Sequence, residues 1–180
     1  DIALKLVVDE GKKAVDFKVV RGKEIDFDPS EGTTAGARAV CPVCKSTVDA
    51  KTMRKEALEG RMGERMVAVI YNKEGTGKKY CVPTFRDKEA FDEAKTALRN
   101  RTKNWQGRWP AIPHESLPKI GTLGFRIQRY GMQTWADLFN SRQRLALVTF
   151  VEKVREAYKK IAEETKDYEY SGAITTYLAM

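Results

Sequence analysis

The sequence predicts an α+β fold in which a small antiparallel β-rich lobe, residues 1–84, is followed by a mainly helical lobe, residues 85–180. Short apolar runs separated by turn residues dominate the first lobe, which is the pattern of antiparallel strands and hairpins. The second lobe contains apolar residues at three-to-four-residue spacing, which is the pattern of amphipathic helices. Between its helices lies a Pro- and Gly-rich segment, residues 104–133, which predicts an ordered loop with short strands.

The β-rich lobe is predicted to consist of hairpins and one short helix. A turn at residues 9–13 joins the first two strand-like runs, and a Gly-containing turn at 73–78 joins the last two. The run before the second turn is apolar throughout, so we expect a buried strand there. Asp49 is placed to cap a helix that ends before Gly60. The predicted strands are residues 2–8, 14–20, 66–71 and 79–82.

Three helices are predicted in the second lobe. Asp87 is placed to cap the first, Ser141 is placed to cap a long second helix, and a last helix is predicted to begin near Asp167. Apolar spacing identifies the faces that we expect to be buried. These faces are Phe91, Ala94 and Leu98 in the first helix, and Leu147, Phe150, Val151, Val154, Tyr158 and Ile161 in the second.

The composition is that of a folded protein rather than a disordered tail. With 180 residues, 42% hydrophobic and 32% charged, the chain can bury a core as one domain or as two small ones. No apolar run approaches the roughly 20 residues needed to cross a bilayer, and no signal-peptide pattern is present, so we expect a cytoplasmic protein without a membrane partner. Three cysteines are too few for a disulfide framework. The high content of Lys, Glu and Arg is compatible with a thermophilic source.

The most specific local motif is Cys41-Pro42-Val43-Cys44. Two thiolates two residues apart can chelate one tetrahedral Zn(II), so Cys41 and Cys44 are predicted metal ligands and the first lobe is predicted to be zinc-ribbon-like. A structural zinc needs four ligands, and a second pair of this spacing is missing from the sequence. Three interpretations stay open: a half-site whose mate lies elsewhere, a complete site that recruits Cys81 or His114, and an accidental pair of small buried residues.

Positive charge and tryptophan are concentrated between residues 99 and 144. This segment contains nine Lys and Arg residues against two acidic ones, which is +7 of the chain's +8, and it contains all three Trp residues. Arginine contacts phosphates and aromatic faces stack on bases, so the segment predicts a nucleic-acid surface. A solvated charged face over an aromatic core is the alternative. The residues predicted to contact nucleic acid are Arg108, Arg126, Arg129, Tyr130, Arg142 and Arg144.

Residues 121–132 form the stretch Gly-Thr-Leu-Gly-Phe-Arg-Ile-Gln-Arg-Tyr-Gly-Met, which precedes Trp135, Asp137-Leu138-Phe139 and Arg142-Gln143. Together with residues 41–50 and 63–65, this stretch resembles adenine-specific DNA methylases that contain a zinc ribbon. The resemblance implies DNA as the partner, zinc in the ribbon, and S-adenosylmethionine as the cofactor of the full-length protein. It also implies a flanking methyltransferase domain in the same polypeptide. Lys45 stands where the ribbon of that family usually has Gly.

The family's donor-binding glycine loop, first ribbon cysteine pair and Asp-Pro-Pro-Tyr catalytic motif do not occur in this sequence. Asp28-Pro29 is followed by Ser30-Glu31, so it does not match the catalytic motif. We therefore expect an internal piece of an enzyme, which begins at Asp1 without an initiator Met, and no donor binding or methyl transfer by this chain alone. Two rival hypotheses are a stand-alone nucleic-acid-binding zinc-ribbon module and a structural insertion that packs on its own enzyme.

Overall fold

A computed structural model describes residues 1–36, 38–107 and 110–180, and it confirms the predicted α+β fold with a β-rich part followed by a helical part. The described residues form three small antiparallel sheets and four α-helices. The strands are β1 (Ile2–Asp9), β2 (Ala14–Arg21), β3 (Thr34–Ala35), β4 (Arg38–Val40), β5 (Thr47–Val48), β6 (Val69–Lys73) and β7 (Gly77–Cys81). The helices are α1 (Ala50–Leu58), α2 (Phe85–Lys103), α3 (Ser141–Thr165) and α4 (Tyr168–Ala179).

Both long hairpins form where the apolar runs predict them. β1 pairs with β2 along its whole length, from Ile2 opposite Arg21 to Asp9 opposite Ala14. β6 pairs with β7. The predicted burial of the strand at 66–71 is only partly correct, because residues 66–69 are half-buried whereas Ile70 and Tyr71 are exposed in β6. Consecutive residues of a strand lie on opposite faces, so one exposed side chain lies on each face of the hairpin, and the Tyr71 hydroxyl donates to the Asp87 carboxylate at 3.0 Å.

Polar side chains cap the helices as the sequence pattern indicates, with two shifts. Asp49 accepts a hydrogen bond from the Thr52 backbone N–H at 2.8 Å, which confirms its role as the cap of α1. Asp167 caps α4 in the same manner. The cap of α3 is Asn140 rather than Ser141, because Asn140 and Gln143 form a reciprocal capping box. At the start of α2, Asp87 lies inside the helix and accepts from the backbone N–H of Thr84 at 2.7 Å, so Thr84 takes the cap position.

The chain divides into two compact units. The first comprises Asp1–Glu89 and Pro118–Met132, and the second comprises Ala90–Leu117 and Gln133–Met180. Part of the predicted loop at 104–133 therefore belongs with the β-rich half of the chain. The division into lobes at 84/85 stays a sequence-based prediction.

The first unit has little buried apolar surface. Ala57 in α1 is the one buried apolar side chain among its described residues, and it is accompanied by buried Gln128. α1 packs against the 3₁₀ turn Ile127–Tyr130, so this pair of elements is the centre of the unit. The β-structure of this unit consists of the β1–β2 hairpin, the β6–β7 hairpin and the short β3–β4–β5 sheet.

The second unit is built on the hairpin of α3 and α4. Ser171 of α4 is completely buried, and Thr175 one turn later is also buried, so small side chains allow close approach of the helices. On α3, Val148 and Ala162 are buried. The predicted apolar stripe of α3 is only partly covered: Val154, Tyr158 and Ile161 are half-buried, whereas Leu147, Phe150 and Val151 are exposed. α4 has 12 residues against the 25 of α3, so it is too short to cover the first half of the longer helix.

Within the described residues, none of the helices has both the length and the apolar character needed to span a membrane.

Candidate functional site

The Cys-Pro-Val-Cys motif forms the turn of a small hairpin. β4 and β5 pair with Val40 opposite Thr47, and the backbone N–H of Cys41 donates to the carbonyl of Ser46 at 2.8 Å. The N–H of Lys45 donates to the carbonyl of Cys41 at 2.9 Å, which closes the turn. Both thiols are therefore held at one end of an ordered hairpin.

Lys45 occupies a turn position that favours glycine. Its φ angle is +60°, in the left-handed region that side chains with a Cβ adopt rarely. The Lys45 ammonium donates to the carbonyl of Pro42 at 2.8 Å, so its side chain folds back over the turn. This contact gives a physical account of how lysine is accommodated at that position.

The environment of Cys44 favours its thiolate. Hydrogen bonds from the Ser46 hydroxyl, the Ser46 backbone and the Cys41 thiol lower the pKa of the Cys44 thiol from 9.0 to about 7. Cys44 Sγ and Ser46 Oγ are 3.0 Å apart, and Cys44 is exposed. The thiol of Cys44 is therefore substantially ionised at neutral pH, and the thiolate is the form of cysteine that binds metals.

The other sequence candidates for metal ligation lie in different elements. Cys81 is half-buried in β7, where it pairs with Val69, and His114 is exposed in the second unit. Across the described ranges, no group of three or more His, Cys, Asp or Glu residues is arranged to hold a metal ion. Cys41 and Cys44 would supply only two of the four ligands that a structural zinc needs, and the zinc assignment stays a prediction.

The segment Pro118–Met132, which we call the motif loop, is a braced loop of the first unit. The side-chain amide of Gln128 donates to the carbonyl of Pro118 at 2.7 Å, and the N–H of Gly121 donates to the carbonyl of Phe125 at 2.7 Å. At Gly131 a Cβ atom would lie 2.7 Å from the carbonyl oxygen of Ala57. Glycine therefore lets the motif loop pack against α1.

The motif loop carries three predicted contact residues for nucleic acid. Arg126 and Arg129 are exposed, as is Tyr130, and Lys119 is a further exposed cation. None of these three cations forms an ion pair with another described residue. Their charges are consequently available to an external anion.

Arg54 is a basic residue that the sequence pattern does not single out. Arg54 lies on α1, is half-buried, and its Nε atom has no hydrogen-bond partner among the described residues. Nothing in the sequence around it distinguishes it from the other cations of α1.

Among the other residues predicted to contact nucleic acid, Arg142 and Arg144 lie in the second unit, and they differ in exposure and in hydrogen bonding. Arg142 is exposed in the first turn of α3. Arg144 donates to the carbonyl of Ala136 at 2.8 Å and lies 3.7 Å from the Asp137 carboxylate, so it has a role within the fold. Arg108 lies outside the described residues. The nucleic-acid assignment of all three stays a prediction.

Some charged and aromatic side chains of residues 99–144, which we call the basic segment, contact other residues of the second unit. Arg101 lies 3.3 Å from Glu152 and also contacts the Thr149 hydroxyl. The guanidinium of Arg155 lies over the Trp105 ring, 5.4 Å from its centroid. These residues therefore contribute to the second unit before any partner binds.

No protein-family model, curated protein or solved structure matches this chain.

Proposed function

We propose that the chain is the DNA-contacting region of an S-adenosylmethionine-dependent, adenine-specific DNA methyltransferase of the cytoplasm. The flanking domain of the same polypeptide supplies the methyl donor site and the catalytic residues. The observation that carries the proposal is the motif loop, in which Lys119, Arg126 and Arg129 are all exposed and unpaired with described acidic residues.

The chemistry of the reaction explains why such a region is needed. An enzyme that methylates an adenine amine must extrude the base from the stack, which requires the duplex to be held while it is deformed. Phosphate contacts fix the register and orientation of a protein on DNA. An exposed pair of arginines on a braced loop is suited to this task, because a guanidinium can contact two phosphate oxygens at once.

The same proposal assigns a structural role to the thiols of Cys41 and Cys44. Cys41 and Cys44 provide half of a tetrahedral zinc site, and two further ligands come from the flanking polypeptide. The lowered pKa of Cys44 supports this role, because its thiolate is already substantially populated at neutral pH. A shared zinc would attach the hairpin of β4 and β5 firmly to its neighbour.

A second candidate function is a structural insertion that packs on the rest of its own enzyme. The specific observation in its favour is that Ala57 is the one buried apolar residue described in the first unit. A unit of this size normally buries more apolar surface, so other protein surface is expected to cover it.

Replacement of Arg126 and Arg129 together by Ala tests the main proposal. We expect weaker binding to duplex DNA and a shallower dependence of affinity on salt. Two lost phosphate contacts should reduce the log–log slope by about 1.8, at about 0.9 per phosphate. Fluorescence anisotropy titrations at several salt concentrations measure both quantities.

The matched control is the double replacement of Lys12 and Lys13 by Ala, which removes the same charge from the turn between β1 and β2. This control should leave both the affinity and the slope unchanged. The same comparison is made in the full-length enzyme. If the arginine variant there binds DNA as tightly as the unmutated enzyme, with the same salt slope, but melts at a lower temperature, the motif loop is a packing surface and the structural insertion is the correct function.

A further inference from the structure

The tip of the motif loop exposes a leucine. Leu123 is 86% exposed and has a φ angle of +51°, in the left-handed region. It lies between Gly121 (φ +90°) and Gly124 (φ +79°). Left-handed backbone is unfavourable for a leucine, and full exposure adds a hydrophobic cost, so two unfavourable features coincide at one residue.

Hydrogen bonds brace the loop around this leucine. The hydrogen bond from Gln128 to the Pro118 carbonyl closes the base of the loop, and the bond from Gly121 to the Phe125 carbonyl closes its tip. Strain of this kind persists where the surroundings impose it, and it is concentrated at functional sites. The braced geometry therefore presents the side chain of Leu123 rather than leaving it to fold back.

The motif loop that carries this leucine contains three exposed cations. Between residues 116 and 136 the sequence contains Lys119, Arg126 and Arg129 and no Asp or Glu. An exposed apolar tip on a loop with three exposed cations is complementary to a partner that combines dense negative charge with an apolar interior. A DNA duplex has both, since its phosphates surround stacked bases.

We propose that Leu123 is an apolar wedge that inserts between two stacked base pairs of DNA while Lys119, Arg126 and Arg129 hold the adjacent phosphates. This inference rests on the proposed function, because it specifies how the motif loop contacts DNA. Insertion removes the leucine from water and opens one base step, as apolar wedges do in proteins that kink DNA. Pyrimidine–purine steps unstack most easily and are the preferred site of insertion.

The wedge is tested with the 180-residue chain, using duplexes that carry 2-aminopurine beside a TA step. The fluorescence of 2-aminopurine rises when the base is unstacked, and energy transfer between dyes on the two duplex ends reports bending. Leu123→Asn removes the apolar tip while retaining a residue that tolerates left-handed backbone. Leu123→Met retains an apolar tip, and Leu178→Ala removes an exposed leucine from α4.

The parent protein, L123M and L178A should all raise the fluorescence and bend the duplex, whereas L123N should do neither. L123N should bind less than about tenfold more weakly, because the energy of unstacking offsets most of the energy gained by burying the leucine. Its salt slope should be unchanged, since no phosphate contact is lost.

Three results would overturn the inference. Salt-dependent binding without a fluorescence rise in the parent protein would remove the wedge and leave the proposed function standing. An equal fluorescence rise in L123N would assign the unstacking to another residue. A complete absence of DNA binding by the parent protein would remove both proposals and favour a protein pocket as the receptor for Leu123.

Discussion

Replacement of Ser46 by Ala should raise the pKa of the Cys44 thiol. The Ser46 hydroxyl lies 3.0 Å from Cys44 Sγ, and its hydrogen bond is the largest cause of the lowered pKa. The Ser46 backbone and the Cys41 thiol also lower it, and they remain in the variant. The pKa should therefore move from about 7 part of the way toward the ordinary value of 9.0.

The size of the effect follows from the thiolate fraction. A thiol with a pKa of about 7 is about one half ionised at pH 7, whereas an ordinary thiol is only about one hundredth ionised. The rate of alkylation of Cys44 by iodoacetamide follows this fraction. Chelator-treated protein should be labelled at several pH values, and mass spectrometry of peptides should separate Cys44 from Cys41. The S46A protein should be labelled several-fold more slowly at pH 7, with its midpoint at higher pH.

Stability should depend on pH with a definite sign. Because the folded-state pKa of Cys44 is lowered, the thiolate contributes stability that is fully present above the unfolded-state pKa near 9.0 and is lost as the pH falls through about 7. The parent protein and S46A should therefore differ most above pH 9 and converge below about pH 6. Thr47→Ala, which removes the neighbouring exposed hydroxyl, serves as the control. Identical labelling profiles for the parent protein and S46A would refute the assignment of the lowered pKa to the Ser46 hydroxyl.

Two further predictions follow from the proposed zinc half-site and from the packing of the motif loop. Elemental analysis of the purified chain should find zinc well below one equivalent, because Cys41 and Cys44 supply only two thiolates. A full equivalent of tightly bound zinc would mean that another residue or a second chain completes the site. Gly131→Ala should destabilise the protein by about 2 kcal/mol or more, because its Cβ would lie 2.7 Å from the Ala57 carbonyl and its φ is +83°. Gly172→Ala in α4 meets open space and should instead be neutral or stabilising by up to about 1 kcal/mol in thermal melts, so equal effects of the two changes would contradict this account.

Local features of the fold were predictable because local chemistry determines them. Asp49 and Asp167 cap α1 and α4 because an Asp side chain can reach the free N–H groups of the first turn. The shift from Asp87 to Thr84 has an equally local reason. In a capping box both partners carry hydrogen-bonding oxygens, so the residue pattern alone does not distinguish the cap from the residue three positions later.

Burial was less predictable than secondary structure. The run at 66–71 is apolar, and a strand forms from Val69 onward, yet Ile70 and Tyr71 are exposed. Leu147, Phe150 and Val151 fit a helical stripe, and the helix forms, yet α4 ends before it can cover them. In both cases the apolar pattern indicates the type of element. The burial of its side chains depends on which other elements pack against it.

The hairpin turn at Cys41 and Cys44 could be recognised from four residues because a turn is a local structure. Further ligands for the predicted zinc could not be identified from the sequence, because ligands distant in sequence are brought together only by the fold. Cys81 illustrates this limit, since its place in β7 is determined by pairing with Val69 and not by any spacing from Cys44.

The basic segment shows why charge along a sequence is a weak guide to a charged surface. Residues 99–144 contribute to both units of the structure, so their total of +7 does not describe one face. Arg101 and Arg144 have carbonyl, hydroxyl or carboxylate partners in the second unit, which reduces what they can offer to phosphates. Arg126 and Arg129, by contrast, share one braced loop with no acidic residue nearby in sequence. A phosphate-binding role for the segment therefore depends chiefly on these two arginines, and removing them should cost more DNA affinity than removing Arg101 and Arg144, whose loss should mainly lower stability.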